Sequence, residues 1–377
     1  MNRKRTFRMG TAVFATLISF VQADTIWNSG AVPGAAWSSS GNWSDGVPDS
    51  ADTAYFTNTQ ASTYSVDVDT AAQANKLLAS QAYTFGGSGS VTLVRNDTTG
   101  YLIQTLRSEL SSGELTFNTG VTINHQGTAG ATEIYNLNAG SSIVFNNGLT
   151  HTGYSYLNLS GLGTIVINGD LSVADRIRFG NTVAGLNVII GGTGTTSSST
   201  KWTFARAANL YLNRAGAYAT DDQLLDMEKT MVYLGADNAV ASGTDVQMRD
   251  SGGTGGITAQ GYDQDFGGLT IAADALFDMD GSDSVWTFED SSALSWTAGT
   301  LLDITNAENA VIRFSIDGGT GLTESQIEQI SLNGTSLTLA DTIVDGGYRY
   351  ITPIPEPATI GMVIVAGILM FLRRRLF

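Results

Sequence analysis

The sequence predicts an all-β protein, a parallel β-helix in which each turn of the solenoid contributes short strands. The chain has 377 residues with 44 glycines and only 5 prolines, which is typical of a turn-dense β fold. From about Leu115 onward, short runs that alternate apolar and polar residues are each followed by Gly or Asn, which indicates strands. Apolar residues also recur 22 positions apart, at Ile123, Phe145, Ile167, Ile189, Tyr211 and Tyr233.

This 22-residue column is expected to form an internal ladder, because the turns of a β-helix stack about 4.8 Å apart. Asn and Gly residues, as in 146–148 and 168–169, are expected at the corners, where left-handed backbone is needed. A neighbouring column weakens at Asn187 and Asn209, which predicts a slip in register there. The alternative is a β-sandwich, whose hairpins would explain close strand pairs. Six aligned turns favour the solenoid.

Residues 1–23 resemble a secretory signal peptide. Basic residues are concentrated within 3–8, an apolar stretch covers 9–21, and small residues flank the cleavage position. Cleavage by signal peptidase is expected between Ala23 and Asp24. The segment 1–23 is therefore excluded from the fold prediction.

The C-terminal segment 353–377 combines a proline-flanked carboxylate, a short apolar run and a basic end. In order, it contains Pro355-Glu356-Pro357, residues 358–372 and the cluster Arg373, Arg374 and Arg375. The prolines prevent a helix or sheet from running through the motif. The apolar run is shorter than the roughly 17–25 residues that usually span a bilayer. The arginines are expected to stay on the cytoplasmic side.

This terminus resembles a PEP-CTERM sorting signal, the bacterial motif read by exosortases. The resemblance covers residues 353–377 and implies a protein that is anchored transiently in the inner membrane by a transmembrane segment at 358–372. It further implies cutting by an exosortase-type enzyme and release to the cell surface or the extracellular space. The alternative is an ordinary single-pass anchor.

The composition of the body limits its partners and its chemistry. The formal net charge of the whole chain is −16, so nucleic acid and anionic lipid are not expected to bind. The chain has no cysteine, which excludes disulfide, thiol and zinc–thiolate chemistry. Charged residues make up only 14% of the chain, compared with roughly 25% in a typical soluble domain.

An N-terminal β cap is expected over 24–80, before a solenoid body over 81–284. The segments 41–48 (GNWSDGVP) and 52–56 (DTAYF) resemble the opening of secreted, PEP-CTERM-bearing and autotransporter-associated repetitive β proteins. The resemblance implies the first cap and turn of such a domain. Trp43 is interpreted as a core residue of this cap, with sugar stacking as the alternative.

A C-terminal β cap is expected over 285–352, leading into the sorting signal. It includes one predicted helix, Leu322 to Ile330, for which Thr323 is a suitable N-cap. This stretch also resembles an element that precedes PEP-CTERM tails. A second helical turn is predicted for residues 220–229, near the end of the repeat.

Few residues suggest metal binding. His125 and His151 are each expected to be solvated loop residues, because a two-histidine site lacks an identifiable third ligand. No cofactor is expected, with one exception. A calcium ion bound by Asp278, Asp280 and Asp283 is a further hypothesis, since hard carboxylates suit calcium outside the cell. The EF-hand pattern is not met, and a solvated acidic turn is the alternative.

Three functions follow from these features. The first is a non-catalytic component of the cell surface or of an exopolysaccharide or biofilm matrix. The second is a polysaccharide lyase or hydrolase, for which carboxylates and arginines on one face are needed. Its best local cluster is Asp170, Asp175, Arg176 and Arg178, which are more simply a charged outer face. The third is a glycan-binding module that uses exposed aromatics such as Tyr154 and Tyr156.

Overall fold

A computed structural model of the chain describes most of the region between the two predicted export signals. The described residues are 24–28, 33–57, 64–96, 102–127, 130–153, 156–180, 185–198, 202–204, 208–218, 224–249 and 255–351. The sorting motif at Pro355, Glu356 and Pro357, the arginines Arg373, Arg374 and Arg375, and Ala23 of the signal cleavage site all lie outside them. Asp24, the other residue of that site, begins the first strand.

The described residues are almost entirely short strands. The first third of the body contains β1 (Asp24–Ile26), β2 (Ala35–Ala36), β3 (Thr53–Phe56), β4 (Tyr64–Asp67), β5 (Ala71–Ala74), β6 (Lys76–Ala79), β7 (Tyr83–Gly86), β8 (Ser90–Arg95) and β9 (Leu102–Ser108). The middle contains β10 (Gly113–Phe117), β11 (Gly120–His125), β12 (Ala131–Asn136), β13 (Ser141–Phe145), β14 (Leu149–Gly153), β15 (Leu157–Gly161), β16 (Thr164–Ile167), β17 (Leu171–Val173), β18 (Ile177–Phe179), β19 (Leu186–Ile190), β20 (Thr196–Ser198), β21 (Trp202–Phe204) and β22 (Ala208–Leu212).

The last third is also strand-rich and includes the one α-helix of the described residues, α1 (Glu324–Ile327). Its strands are β23 (Leu224–Met227), β24 (Met231–Leu234), β25 (Asp245–Met248), β26 (Gly255–Thr258), β27 (Gln264–Asp265), β28 (Leu269–Ile271), β29 (Ala275–Asp278), β30 (Val285–Phe288), β31 (Leu302–Thr305), β32 (Val311–Ser315), β33 (Ile330–Leu332), β34 (Thr335–Ser336), β35 (Ile343–Asp345) and β36 (Tyr348–Tyr350). Short 3-10 turns cover Ser40–Asn42 and Leu339–Asp341.

The strands form a parallel β-solenoid of about eleven turns, counted over the described residues. Sheet I has the order β1-β3-β6-β9-β12-β15-β18-β21-β23-β25-β28, and sheet II runs β2-β4-β7-β10-β13-β16-β19-β22-β24-β26-β29-β31-β33-β34. Sheet III, β5-β8-β11-β14-β17-β20, adds a third side in the first half. Sheet IV, β27-β30-β32-β36-β35, adds one near the C-terminal end. Strands from successive turns pair in parallel, which confirms the β-helix and rules out the sandwich alternative.

The core lies between the sheets and consists of ladders of like side chains. Phe85, Phe117 and Phe145 occupy successive turns of sheet II, and their rings stack at centroid distances of 4.7 and 5.3 Å. All three rings are fully buried. Stacked aromatic pairs add stabilisation beyond the area that they bury, so this ladder helps hold consecutive turns in register.

The predicted 22-residue column is only partly an internal ladder. Ile123 belongs to sheet III, whereas Phe145 belongs to sheet II. Turn lengths also vary more than the sequence pattern suggests. In sheet II, Tyr64 pairs with Tyr83, whereas Thr84 pairs with Thr116, so the second of these turns is much longer than the first.

The predicted slip in register near Asn187 is confirmed. Ile167 pairs with Ile190, because this turn is one residue longer than the column spacing, and Ile189 moves to the other face of the sheet. A shift of one residue reverses every following side chain. Ile189, Tyr211 and Tyr233 are therefore half-exposed on the outer face, which corrects their assignment to the interior. The inner ladder continues instead through Ile190, Leu212 and Leu234.

A cluster of aromatic residues fills the N-terminal end. Trp27 and Trp37 each contact Trp43 edge to face at 4.9 Å, and all three pack on Phe56. Trp43 is only 4% exposed, and its indole N–H donates to the carbonyl of Trp37. The interpretation of Trp43 as a core residue is confirmed.

The predicted C-terminal helix is present but shorter than expected. Thr323 is its N-cap, and it forms a reciprocal capping box with Gln326. The helix ends early because Ile330 begins β33, which pairs with β31. The helical turn predicted for 220–229 is wrong. Residues 224–227 form β23, which pairs with β21 and β25, so long-range pairing overrides the local preference.

The C-terminal end of the solenoid is closed by chain reversals. β34 pairs antiparallel with β33, and β36 pairs antiparallel with both β32 and β35. Such reversals stop further parallel stacking at the edge of a sheet. Sheet I continues across position 80/81 through the pairing of β6 with β9, and sheet II continues across 284/285 through the pairing of β29 with β31. The domain boundaries predicted there stay predictions. No helix within the described residues is long and apolar enough to span a membrane.

Candidate functional site

The outer face of sheet I carries a row of polar residues between β9 and β28. Strand alternation points every second side chain away from the core, and the parallel register aligns these side chains from turn to turn. We call this set the polar row. By Cα pairing it comprises Gln104, Glu133, Asn158, Arg178, Asp226, Gln247 and Thr270, with β21 between the strands of Arg178 and Asp226.

Glu133 lies at the centre of a buried hydrogen-bonded cluster in this row. Its Oε1 accepts from Asn158 Nδ2 at 2.8 Å and from the hydroxyl of Ser160. Glu133 is 2% exposed, and Asn158 and Ser160 are no more accessible. We call these three residues the Glu133 centre. Asn158 Oδ1 is buried and has no hydrogen-bond partner among the described residues. Such an atom is explained by stored strain, by a catalytic role or by a polar group that binds there.

Two arginine–tyrosine pairs lie beside the Glu133 centre. Arg107 Cζ lies 5.7 Å from the ring centroid of Tyr135, and Arg178 Cζ lies 6.0 Å from that of Tyr156. All four side chains are half-exposed. The Nε atoms of both arginines are buried without a hydrogen-bond partner in the described part of the chain. The site thus presents donors, an acceptor and aromatic rings.

The two arginines differ in their electrostatic environment. Arg107 Nη2 lies 2.7 Å from Glu109 Oε1, so the charge of Arg107 is largely offset. Arg107 Nη1 also donates to Gln104 Oε1 at 2.8 Å. Arg178 is the Cα partner of Asn158 on the next turn. Arg178 is therefore the cation that the register places next to the Glu133 centre.

A second buried carboxylate of the polar row, Asp226, lies four turns from Glu133. Asp226 is 5% exposed and forms an ion pair with Arg249. Four steps of about 4.8 Å place the two carboxylates roughly 19 Å apart along the sheet. Glycosidases hold their two carboxyl groups roughly 5–9.5 Å apart. Glu133 and Asp226 are therefore too far apart to act as such a pair.

Of the four residues predicted as a charged cluster, only Arg178 belongs to the polar row. Asp170 precedes β17 and is exposed, and it accepts from the backbone N–H of Thr195 at 2.6 Å and from its hydroxyl at 2.9 Å. These bonds from Thr195 lower the pKa of Asp170. Asp175 and Arg176 lie in the turn between β17 and β18. The cluster is therefore spread over a corner and does not form one site.

Both histidines are buried, which corrects the prediction of solvated loop residues. His125 ends β11 and His151 lies within β14, and both are no more than 2% exposed. His151 Nε2 lies 2.9 Å from Thr132 Oγ1. Burial, followed by repulsion from His125, lowers the pKa of His151 to about 4. The signal in the sequence was strand alternation, which places both residues on the inner face.

Of the two tyrosines predicted to bind glycans, the structure describes one. Tyr154 lies outside the described residues, and Tyr156 is part of the arginine–tyrosine pair with Arg178. Sequence reasoning missed an outer pair, Tyr211 and Tyr233, whose rings stack at 4.5 Å. The facing sides of these two rings are in contact with each other. The pair therefore offers mainly ring edges to solvent, which suits sugar stacking poorly.

The acidic turn proposed for calcium is organised by hydrogen bonds. Asp278 Oδ1 accepts from the backbone N–H of Asp280 and from Asn306 Nδ2. Asp280 adopts a positive φ of 55°, and Asp283 is exposed. In the part of the chain that is described, no group of three or more His, Asp or Glu side chains is placed to hold a metal ion. Calcium binding at this turn stays a prediction.

A cavity of about 680 Å³ lies at the C-terminal end. Its wall includes Leu332, Leu337 and Ile351, with Asn333 and Asp341 as polar groups. The volume is in the range of small-molecule pockets. Its polar residues Asn333 and Asp341 are exposed, unlike the buried residues of the Glu133 centre.

Comparisons with protein-family models, with curated proteins and with solved structures returned no match for this chain. The fold and the surface therefore define the class of protein. The chain is a parallel β-solenoid whose sheet I carries a polar row centred on Glu133.

Proposed function

We propose that this chain is an exported, non-catalytic component of the cell surface or of a polysaccharide-rich extracellular matrix. In this proposal, signal peptidase removes residues 1–23, and the chain is held transiently in the inner membrane by 358–372. An exosortase-type enzyme then processes it at Pro355-Glu356-Pro357. The mature product is a rod-like solenoid that displays the polar row.

One observation carries this proposal: the described residues form a parallel β-solenoid whose C-terminal end is closed by antiparallel strands. The closed C-terminal end protects the sheet edges there from pairing with other chains. Such protection is expected of a protein that functions outside the cytosol. It also holds its shape without disulfides, since the chain contains no cysteine.

The roughly 19 Å between Glu133 and Asp226 supports a non-catalytic role over glycoside hydrolysis. The alternative, a polysaccharide lyase, is favoured by one feature, the placement of Arg178 in the same row as Glu133, two turns away. Turnover of any polysaccharide in a panel of bacterial and algal polymers would establish the enzyme and overturn the non-catalytic role.

Fractionation of a host that carries an exosortase tests the proposal. The wild-type chain is expected outside the inner membrane, beginning at Asp24 and lacking the sorting motif. A chain with Glu356→Ala is expected to remain membrane-bound at full C-terminal length. Glu114→Ala, which removes an exposed glutamate from a strand, is the matched control and should be processed like wild type. A wild-type chain that stays in the cytoplasm with both ends intact would overturn the proposal.

A further inference from the structure

We propose that the Glu133 centre, with Arg178 and Tyr156, is a binding site for a neutral saccharide chain. The proposal rests on the proposed function only for the class of ligand, because a matrix protein meets polysaccharide. The site itself is argued from its own unpartnered atoms, its charge and its position on the sheet.

Two buried polar atoms at the centre of the site have unused hydrogen-bonding capacity. Asn158 Oδ1 is a buried acceptor without a partner, and Arg178 Nε is a buried donor without one, in the described residues. The two residues are Cα partners on adjacent turns. An unsatisfied buried polar group costs about 1–3 kcal/mol. A hydroxyl both donates and accepts, so one sugar hydroxyl can satisfy the two atoms together.

The charge of the site and of the whole chain favours a neutral ligand. The chain carries a formal net charge of −16, and Glu133 adds a carboxylate at the centre of the site. Of the nearby cations, Arg107 is already paired with Glu109. An anionic polymer would have to overcome both the local carboxylate and the field of the whole protein. A neutral saccharide is repelled neither by the Glu133 carboxylate nor by the net charge of the protein.

Half-exposed side chains surround the buried centre and give access to it. Glu133, Asn158 and Ser160 are buried, while Tyr156 and Arg178 beside them are half-exposed. Rotamer changes of such side chains on binding are common and need no backbone movement. A small adjustment of Arg178 that keeps its Nε beside Asn158 is the change needed to admit a hydroxyl group, and the ring of Tyr156 is an amphipathic wall beside it. The polar row continues from this point along the sheet, which suits an extended polymer.

The test is calorimetric titration of the full-length chain, purified in a detergent without a sugar headgroup. The probes are cellohexaose, laminarihexaose and xylohexaose, with hexagalacturonate as the anionic comparison. At least one neutral hexasaccharide should bind, and more tightly than hexagalacturonate. Glu133→Gln and Arg178→Lys should each weaken that binding at least tenfold.

Arg313→Lys is the matched control, because Arg313 also lies over a tyrosine ring, that of Tyr348, but on sheet IV. It should bind within twofold of wild type. Arg178→Lys changes a half-exposed side chain, so it tests the site even where Glu133→Gln fails to fold.

Three results would overturn the proposal: no neutral hexasaccharide binds, Arg178→Lys binds as tightly as wild type, or hexagalacturonate binds best. Because the titration uses purified chain, failed export leaves its outcome unchanged. Failed binding likewise leaves the fractionation result unchanged.

Discussion

The buried histidine His151 leads to a quantitative prediction about mild acidification. Its pKa is about 4 in the folded chain, compared with 6.5 for an unperturbed histidine. Between these two values the unfolded state binds a proton that the folded state does not. The contribution of neutral, buried His151 to the free energy of unfolding is therefore fully present above about pH 6.5. It is lost as the pH falls toward 4. The difference of about 2.5 in pKa corresponds to about 3 kcal/mol.

The assay is urea unfolding of wild type and of His151→Gln at several pH values between 7 and 4. Glutamine keeps a polar group near Thr132 but cannot gain the proton. Wild type should lose about 3 kcal/mol more than the variant over this range. The lowered pKa values of Asp69, Asp170 and Asp341 act below their unperturbed value of 3.8, and they act equally in both proteins. Two results would contradict this prediction: equal losses in the free energy of unfolding of the two proteins, or an NMR titration midpoint of His151 near pH 6.5.

Further predictions concern the core, one corner and the C-terminal helix, each measured as the free energy of unfolding in urea. Phe117→Ala should lower the free energy of unfolding by about 4 kcal/mol, because the ring and its two stacked contacts are lost. Thr116→Ala, on the outer face, should change it by no more than about 0.5 kcal/mol. Gly153→Ala should cost about 3 kcal/mol, because φ is 112° and a Cβ would lie 2.0 Å from a backbone carbonyl oxygen. Gly41→Ala meets no atom within 4 Å and should be nearly neutral, so equal losses at the two glycines would contradict this account. Gln326→Ala should cost about 2 kcal/mol, since its buried amide donates to two backbone carbonyls, and an unchanged midpoint would contradict that.

The fold could be predicted from the sequence because alternation and the 22-residue spacing are properties of neighbouring turns. The spacing is correct from Phe145 to Ile167 and again from Tyr211 to Tyr233. The face of the sheet could not be predicted throughout, because one extra residue before Ile190 reverses it. A ladder of apolar residues looks alike on either face when the outer face also carries isoleucine and tyrosine.

The candidate site was harder to predict, because it depends on which strands pair. Glu133 pairs with Asn158, and Asn158 pairs with Arg178 after a shorter stretch of chain, so no fixed period aligns them. The burial of Glu133 and Asn158 was also unexpected, since charged and amide side chains are mostly exposed. His151 was predicted wrongly for a similar reason. Its polarity suggested solvent, whereas the alternation of its strand places it inside.

Even stacking of successive turns aligns the polar row. Pulsed electron spin resonance tests it directly, because the cysteine-free chain accepts a pair of cysteine spin labels at chosen outer positions. Thr116 and Thr305 lie eight rungs apart in sheet II, and Thr84 lies one rung further. At about 4.8 Å per rung, the account predicts roughly 38 Å for Thr116–Thr305 and about 5 Å more for Thr84–Thr305. A separation of about 20 Å or less, or one that does not increase from Thr116 to Thr84, would contradict it.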